Sequence, residues 1–402
     1  MRITMQTNLF KLDNVIQNYV WGSQVAMNDL FGIENPNNEP QAEIWMGAHP
    51  NGCSKIAENG ELLSDLIKKD PISVLGDYTV QRFGNLPYLF KVLAADKALS
   101  VQVHPRRDKA QIGFSKENDL GIELGASNRN YRDDNHKPEL VYALTFYKAM
   151  NGFRPVAEII SLFEQANIVT LNEDLDALKA LPTSQGLKQF FTVVMSLSGE
   201  KKTTALNELK IAMEQRPRTA KAREAFDLIK SFVDEYSDDI GLFSPLILNV
   251  IELEPGEAMF LHAETPHAYV QGTGLEIMAN SDNVLRAGLT PKHMDVVELI
   301  DNTKFESINH EDLRLAPTKM DGKLGYAIPV DDFGFEVLEC VEGESRSQFV
   351  RSAEILFCMT GEVSIMCGEK AVKLKAGESA FVCHSATSYQ YQGSGTLARA
   401  FN

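Results

Sequence analysis

Between about residues 155 and 242 apolar side chains recur at spacings of three and four, in VAEIISLFEQA, DLDALKAL, LKQFFTVVMSL, TALNELKIAMEQ and AREAFDLIKSFVDEY. This is the period of amphipathic helices. The flanks follow another rule. Residues 1 to 151 alternate short apolar runs with turn clusters, NPNNEP at 35–40, HPNG at 49–52 and GNLP at 84–87, which predicts short strands. One helical stretch interrupts them near 61–69, where Leu62, Leu66 and Lys69 share a face. Past the helical block, PLILNVIELEPGEAMFL places two apolar runs around a Pro-Gly pair suited to a type II turn. GLEIMAN follows and, after a linker expected near 316–330, so do FEVLEC, EILFCMT, GEVSIMC and AVKLKAGESAFV. Many short strands joined by Gly turns favour an antiparallel sandwich or jelly roll over a parallel α/β fold.

An internal echo refines this. LEPGEAMFL at 253–261 matches LKAGESAFV at 374–382 in length, in its Gly-Glu turn and in the following Phe, so two related barrels are expected. A turn motif shared by chance is the competing reading. Six residues past the first segment stands His267, but Ser388 occupies the corresponding place after the second. The later barrel therefore reads as a copy without a metal site. The expected division is a first barrel from 1–151 and 243–325, a helical insertion at 152–242, and a C-terminal barrel at 326–402.

Length and charge narrow the function. A chain of 402 residues exceeds the size at which one core stops growing. Its formal charge of −16 argues against nucleic acid or an anionic membrane as partner. Five cysteines, at 53, 340, 358, 367 and 383, show neither CxxC spacing nor a dense framework, as in reduced packing residues of a cytoplasmic protein. The opening MRITMQTNLFKLDN lacks the pattern of a secretory leader, and no apolar run reaches membrane-spanning length.

Four separated fragments carry the candidate chemistry: LSVQVHP at 99–105, DNHKPEL at 134–140, ETPHAYV at 264–270 and NSDNVLRAGLTPKH at 280–293. On a strand, Gln102 and His104 point to one face while Val101 and Val103 point to the other. Pro138 forces Lys137 into an extended conformation, so Lys137 and Glu139 project to the same side. His267 follows a proline at the start of an apolar run, with His262 as a nearby competitor. Two imidazoles, one carboxylate and one amide oxygen suit zinc, although Gln-x-His and Lys-x-Glu pairs are also common as ordinary polar contacts.

WGS at 21–23, AEIWMGAHP at 42–50, LPYLFKVL at 86–93, LSVQVHP, NHKPEL, NGFRP at 151–155, PHAY and NVLRAGLTPK together resemble the type I phosphomannose isomerases in residue type, order and spacing. The resemblance spans most of the first 300 residues. It implies a mainly β protein: a cupin (jelly-roll) catalytic barrel, an inserted helical domain and a second C-terminal cupin-like barrel. It also implies interconversion of mannose 6-phosphate and fructose 6-phosphate with one Zn²⁺ per chain. The family's zinc ligands fall on Gln102, His104, Glu139 and His267, and its catalytic arginine falls on Arg286. Lys91 and Ser100 are the positions it suggests for the phosphate, with Lys97 as a competitor.

Aldose–ketose isomerisation removes a proton beside a carbonyl and returns one to the neighbouring carbon through an enediolate. Lys137, Glu43 and Glu276 are the candidates for that transfer, and the resemblance sets all three near the site. Asp282 is a candidate for orienting Arg286 or a sugar hydroxyl. Its alternative is a structural ion pair with Arg286, four residues away. A monomer acting on a small sugar phosphate is expected, with an oligomer left open. A metal cupin of another reaction class, such as an oxygenase, and a noncatalytic sugar-binding cupin are the competing readings.

Overall fold

The computed structural model describes residues 8–402. The first seven residues of the opening segment, on which the leader reading partly rests, lie outside the described residues.

The helical block begins with Val156–Ala166 and closes with Ser244–Ile247, the longest helix being Ala220–Tyr236. The expected limits of 152 and 242 both come early: the strand Tyr147–Phe153 runs through the first, and the helix Ser244–Ile247 lies past the second. Two helices start on threonine caps: Thr183 accepts from Gly186 N, and Thr219 from Ala222 N. The apolar stripes, including Leu162, Phe163, Phe190, Phe191, Phe226 and Phe232, bury into one core. Val101, Val103, Met150 and Phe153 of the neighbouring barrel belong to the same core. The valines beside Gln102 thus anchor its strand against the helices and leave its polar face turned inward.

Two ten-stranded sheets complete the molecule. The first gathers the strands between Val15 and Arg286 other than Lys55–Ile56, and in it Tyr88–Ala95 and Glu139–Ala143 both pair with the long strand His267–Ala279. The second holds every strand from Pro317 onward. It also takes Leu9–Asp13, paired with Ser379–Val382, and Lys55–Ile56 beside it. The division at 1–151 is therefore crossed: the amino-terminal strand is part of the carboxy-terminal sheet. Where a linker was expected near 316–330, Pro317–Met320 and Lys323–Tyr326 form a hairpin. All four residues of its first strand are exposed, so no alternation of apolar and polar residues marked it. The barrels share a core in which Ile44, Phe90, Val92 and Ile277 meet Phe335, Ile355, Phe357 and Phe381.

The echo has a geometric basis. Glu257 N donates to Glu254 O at 2.9 Å and Glu378 N to Lys375 O at 3.0 Å. Each glutamate carboxylate then accepts from the first turn residue, at 2.9 Å in both. The match extends into the strands that follow, His267–Ala279 and Ser388–Phe401, with QGTG at 271–274 and QGSG at 392–395. Gly272 and Gly393 have φ of 117° and 143°, where each long strand bends. A Cβ on Gly272 would lie 2.4 Å from Phe146 O. Gly272→Ala is therefore expected to cost at least about 1–3 kcal/mol from backbone strain alone, read as a lowered Tm. An unchanged Tm would show that the bend tolerates a side chain.

Leu261 pairs with Glu139 and Val382 with Glu354, so the two carboxylates hold corresponding places in the two barrels. A buried carboxylate requires a countercharge. In the C-terminal barrel Arg399 supplies it, with Nε 2.7 Å from Glu354 Oε2 and Nη2 on Oε1. Ser388 opens the long strand as His267 does in the first barrel, and it offers no imidazole.

Candidate active site

In the first barrel Gln102 sits directly opposite His267 on one side and Arg286 on the other. Residues opposite one another across paired strands share a face, so the three form a row. His104, Glu139 and His267 are all buried, and a ligand atom from each lies within 4.8 Å of the others. His104 Nδ1 is 2.6 Å from Asn283 O and His267 Nδ1 is 2.9 Å from Thr265 O. A carbonyl only accepts, so each Nδ1 carries the proton and each Nε2 presents its lone pair. These lone pairs face the Glu139 carboxylate at 3.4 and 3.3 Å. His104 Nε2 is buried without a hydrogen-bond partner. Two lone pairs and an anion converging out of water call for a cation. Gln102 Nε2 donates to Ser100 Oγ at 3.3 Å, leaving its Oε1 as a further acceptor, and the donor set fits zinc.

The electrostatics suit the same use. Burial, with the nearby Lys137 ammonium, pushes the His104 imidazole down to about 4, so it is neutral near pH 7. Burial acts to raise the Glu139 carboxyl, but the Lys137 ammonium beside it holds it well below the usual carboxylate range. Lys137 Nζ lies 2.9 Å from Glu139 Oε1.

Gln102, Lys137, Glu139 and His267 line a cavity of about 390 Å³ with Glu43, Lys91, Ser100, Glu276, Asp282 and Arg286. Register explains the grouping, since Trp45 pairs with Lys91 and Lys91 with Glu276, placing the three in a row across adjacent strands. Lys91 Nζ is 2.9 Å from Glu276 Oε2 and 3.5 Å from Glu43 Oε1. Trp45 Nε1 donates to Glu43 Oε2 at 2.6 Å. Tyr269 OH, 2.8 Å from Glu276 Oε1 and 3.1 Å from Glu139 Oε2, links this chain to the metal residues. Burial raises the Glu43 carboxyl. Burial alone would lower the Lys91 ammonium, but Glu276 and Glu43 hold it above its ordinary value.

Two expectations change. Lys91 is buried and already neutralised by two carboxylates, so it has no free charge to offer a phosphate; its competitor Lys97 is exposed and 3.5 Å from Glu235. Asp282 does not pair with Arg286. It lies 3.5 Å from His49 Nε2 and accepts from Asn51 Nδ2 at 3.3 Å. Arg286 instead faces Arg132 and Lys292, and the three line the cavity together. Burial lowers both Arg286 and Lys292, and the Arg132 charge lowers each further. Among the described residues none of the three forms an ion pair. Cations gathered without counterions mark the place of an anion. Arg132 and Lys292 were missed in the sequence, where they look like any basic residue in a polar loop.

Asn283 is a second omission. Its Oδ1 accepts from Arg132 N and Asp133 N at 2.7 and 3.2 Å, and its Nδ2 donates to Asp133 O and Asn135 O, both at 2.9 Å. With its carbonyl on His104, this buried side chain joins three site segments. His262 lies apart, packed edge-on against Phe260 at 4.7 Å and lining a separate cavity of about 660 Å³.

Fold and site together define a double jelly-roll protein with a helical insertion and a histidine–carboxylate metal centre. Family models match in three stretches: the type I phosphomannose isomerase catalytic domain over residues 9–156, the helical insertion domain of the same family over 163–248, and the mannose-6-phosphate isomerase cupin domain over 323–402. Mannose-6-phosphate isomerase of Salmonella typhimurium is 47% identical over 98% of this chain and 99% of its own length. The Saccharomyces cerevisiae enzyme is 34% identical over 94% of both. A crystal structure of mannose 6-phosphate isomerase bound with zinc and yttrium superposes with a TM-score of 0.92 at 46% identity, covering 98% of this chain and 100% of that one. The chain belongs to the type I phosphomannose isomerase family.

Proposed function

We propose that this chain interconverts D-mannose 6-phosphate and D-fructose 6-phosphate with one zinc held by Gln102, His104, Glu139 and His267. The observation that carries the reading is the opening of one cavity onto a metal-ligand set, a paired carboxylate–lysine chain and a cluster of unpaired cations. Near-full-length similarity to mannose-6-phosphate isomerases supports it. Family membership sets the oxygenase and the noncatalytic cupin aside.

When bound, zinc supplies a fixed positive charge that favours an anionic enediolate. Arg286 adds a planar two-pronged donor for the same oxygens. Glu276, kept in place by Lys91 and Tyr269, takes the C2 proton of the aldose and returns it to C1, while the O2 hydroxyl proton passes to O1, leaving the carbonyl at C2. Lys137 orients a sugar hydroxyl beside Glu139, Glu43 secures Lys91, and Asp282 holds the rim through His49 and Asn51. The phosphate is taken by Arg132 and Lys292, with the Ser100 hydroxyl as a neutral donor.

The five cysteines are free, and among the described residues no helix is long and apolar enough to cross a membrane. A cytoplasmic monomer is part of the same proposal.

A coupled assay for fructose 6-phosphate formed from mannose 6-phosphate tests the reading, and a folded, zinc-loaded protein without turnover would sink it. Lys292→Ala is expected to raise KM by about tenfold or more with kcat within a few fold, because a phosphate contact serves ground and transition states alike. Loss confined to kcat would move Lys292 to the reacting end of the sugar.

A further inference from the structure

Among the described residues the C-terminal barrel shows no cluster of metal ligands, yet it reaches the site through one buried carboxylate. Asp332 lies just before the strand Gly334–Cys340 and is 3% exposed. Its Oδ1 accepts from Arg107 Nη2 at 2.8 Å, and its Oδ2 lies 3.0 Å from His136 Nε2. Arg107 opens the helix Arg107–Asp119, three residues after His104. Its Nε donates to Asn135 Oδ1 at 3.1 Å, and Asn135 Nδ2 donates to Asn280 O at 2.9 Å. Three segments are thus tied at one point, those bearing Gln102 and His104, Lys137 and Glu139, and Asp282 and Arg286.

We infer that Asp332 is a positioning residue for the isomerisation, acting from the barrel without a metal site on the segment that aims Lys137 and Glu139. Asp332 does not line the catalytic cavity and meets no reacting atom. Its two partners also meet each other, Arg107 Nη2 to His136 Nε2 at 2.8 Å, so carboxylate, guanidinium and imidazole close a triangle. Ionised, the carboxylate is the one member that only accepts, and it holds both neighbours at once. With an amide in its place the contacts to Arg107 and His136 lose their charge assistance, and the hold on residues 135–138 loosens. Displacements of about 1 Å at supporting residues cost up to about a hundredfold in rate.

The inference rests on the isomerase reading, so the unsubstituted chain is assayed alongside. Asp332→Asn keeps the size and loses the charge. Its expected result is kcat lower by about ten- to a hundredfold, KM within about twofold, one zinc per chain retained, and partial recovery in Asp332→Glu. Parental kcat in Asp332→Asn, with or without a lowered Tm, would overturn the positioning role. His136→Phe provides a second readout should Asp332→Asn fail to fold: it removes the direct contact of Asp332 with the segment 135–138 while leaving the Arg107–Asp332 pair and the Arg107–Asn135 hydrogen bond. The same kcat-selective loss is expected there, and parental kcat would overturn the inference. An inactive parent chain would instead sink the isomerase reading itself.

Discussion

His104→Ala and His267→Ala proteins are expected to purify with little zinc and without measurable isomerisation, whereas His262→Ala and His384→Ala should keep one zinc per chain. The difference follows from the direction of the rings. His104 and His267 each spend Nδ1–H on a backbone carbonyl and turn a bare Nε2 toward Glu139. Removing either leaves the carboxylate with a poorer cation site and an unfilled space. His262 faces another cavity against Phe260, and His384 opens a short turn of the C-terminal barrel. That barrel adds no second ion, because Arg399 already neutralises Glu354. Elemental analysis of the four variants and of the parent is the measurement. Equal zinc loss in His262→Ala would place the ion elsewhere. Two zinc ions per chain would mean that Arg399 gives way to metal.

Arg286→Lys is expected to keep its fold and its zinc and to lose about 10²–10³ in kcat, the usual range for one donor aimed at a developing oxyanion. Lysine preserves the charge but presents a single point in place of a planar fork. Arg286 is free to meet the oxyanion because Asp282, the carboxylate nearest in sequence, is engaged with His49 and Asn51. The bordering cations Arg132 and Lys292 make its site still more attractive to an anion. Steady-state kinetics on the zinc-loaded variant separate the alternatives. A raised KM with normal kcat would assign Arg286 to the phosphate. Near-normal values of both would make it structural.

Some of this architecture was legible because its cause is local. A period near 3.6 marked the helical block, since an amphipathic stripe is a property of one segment. Alternation in VQVH set Gln102 and His104 against two valines, and Pro138 aligned Lys137 with Glu139, which now stand 2.9 Å apart. The Gly-Glu turns declared the repeat, with Ser388 holding in the second copy the place that His267 holds in the first. Other features depend on partners hundreds of residues away. Leu9–Asp13 joins the sheet of Ser379–Val382, and one strand's own pattern does not encode which edge it completes. Lys91 is an apolar-run lysine by sequence and a charge locked between Glu43 and Glu276 by register. The roles of Arg132, Lys292, Asn283 and Asp332 emerge only when separate loops converge. Sequence determines which surfaces each segment must bury. Which charges end up paired, and which stay free to meet a substrate, is decided by long-range pairing, because an ionic group's state depends on neighbours that tertiary packing alone brings within a few ångströms.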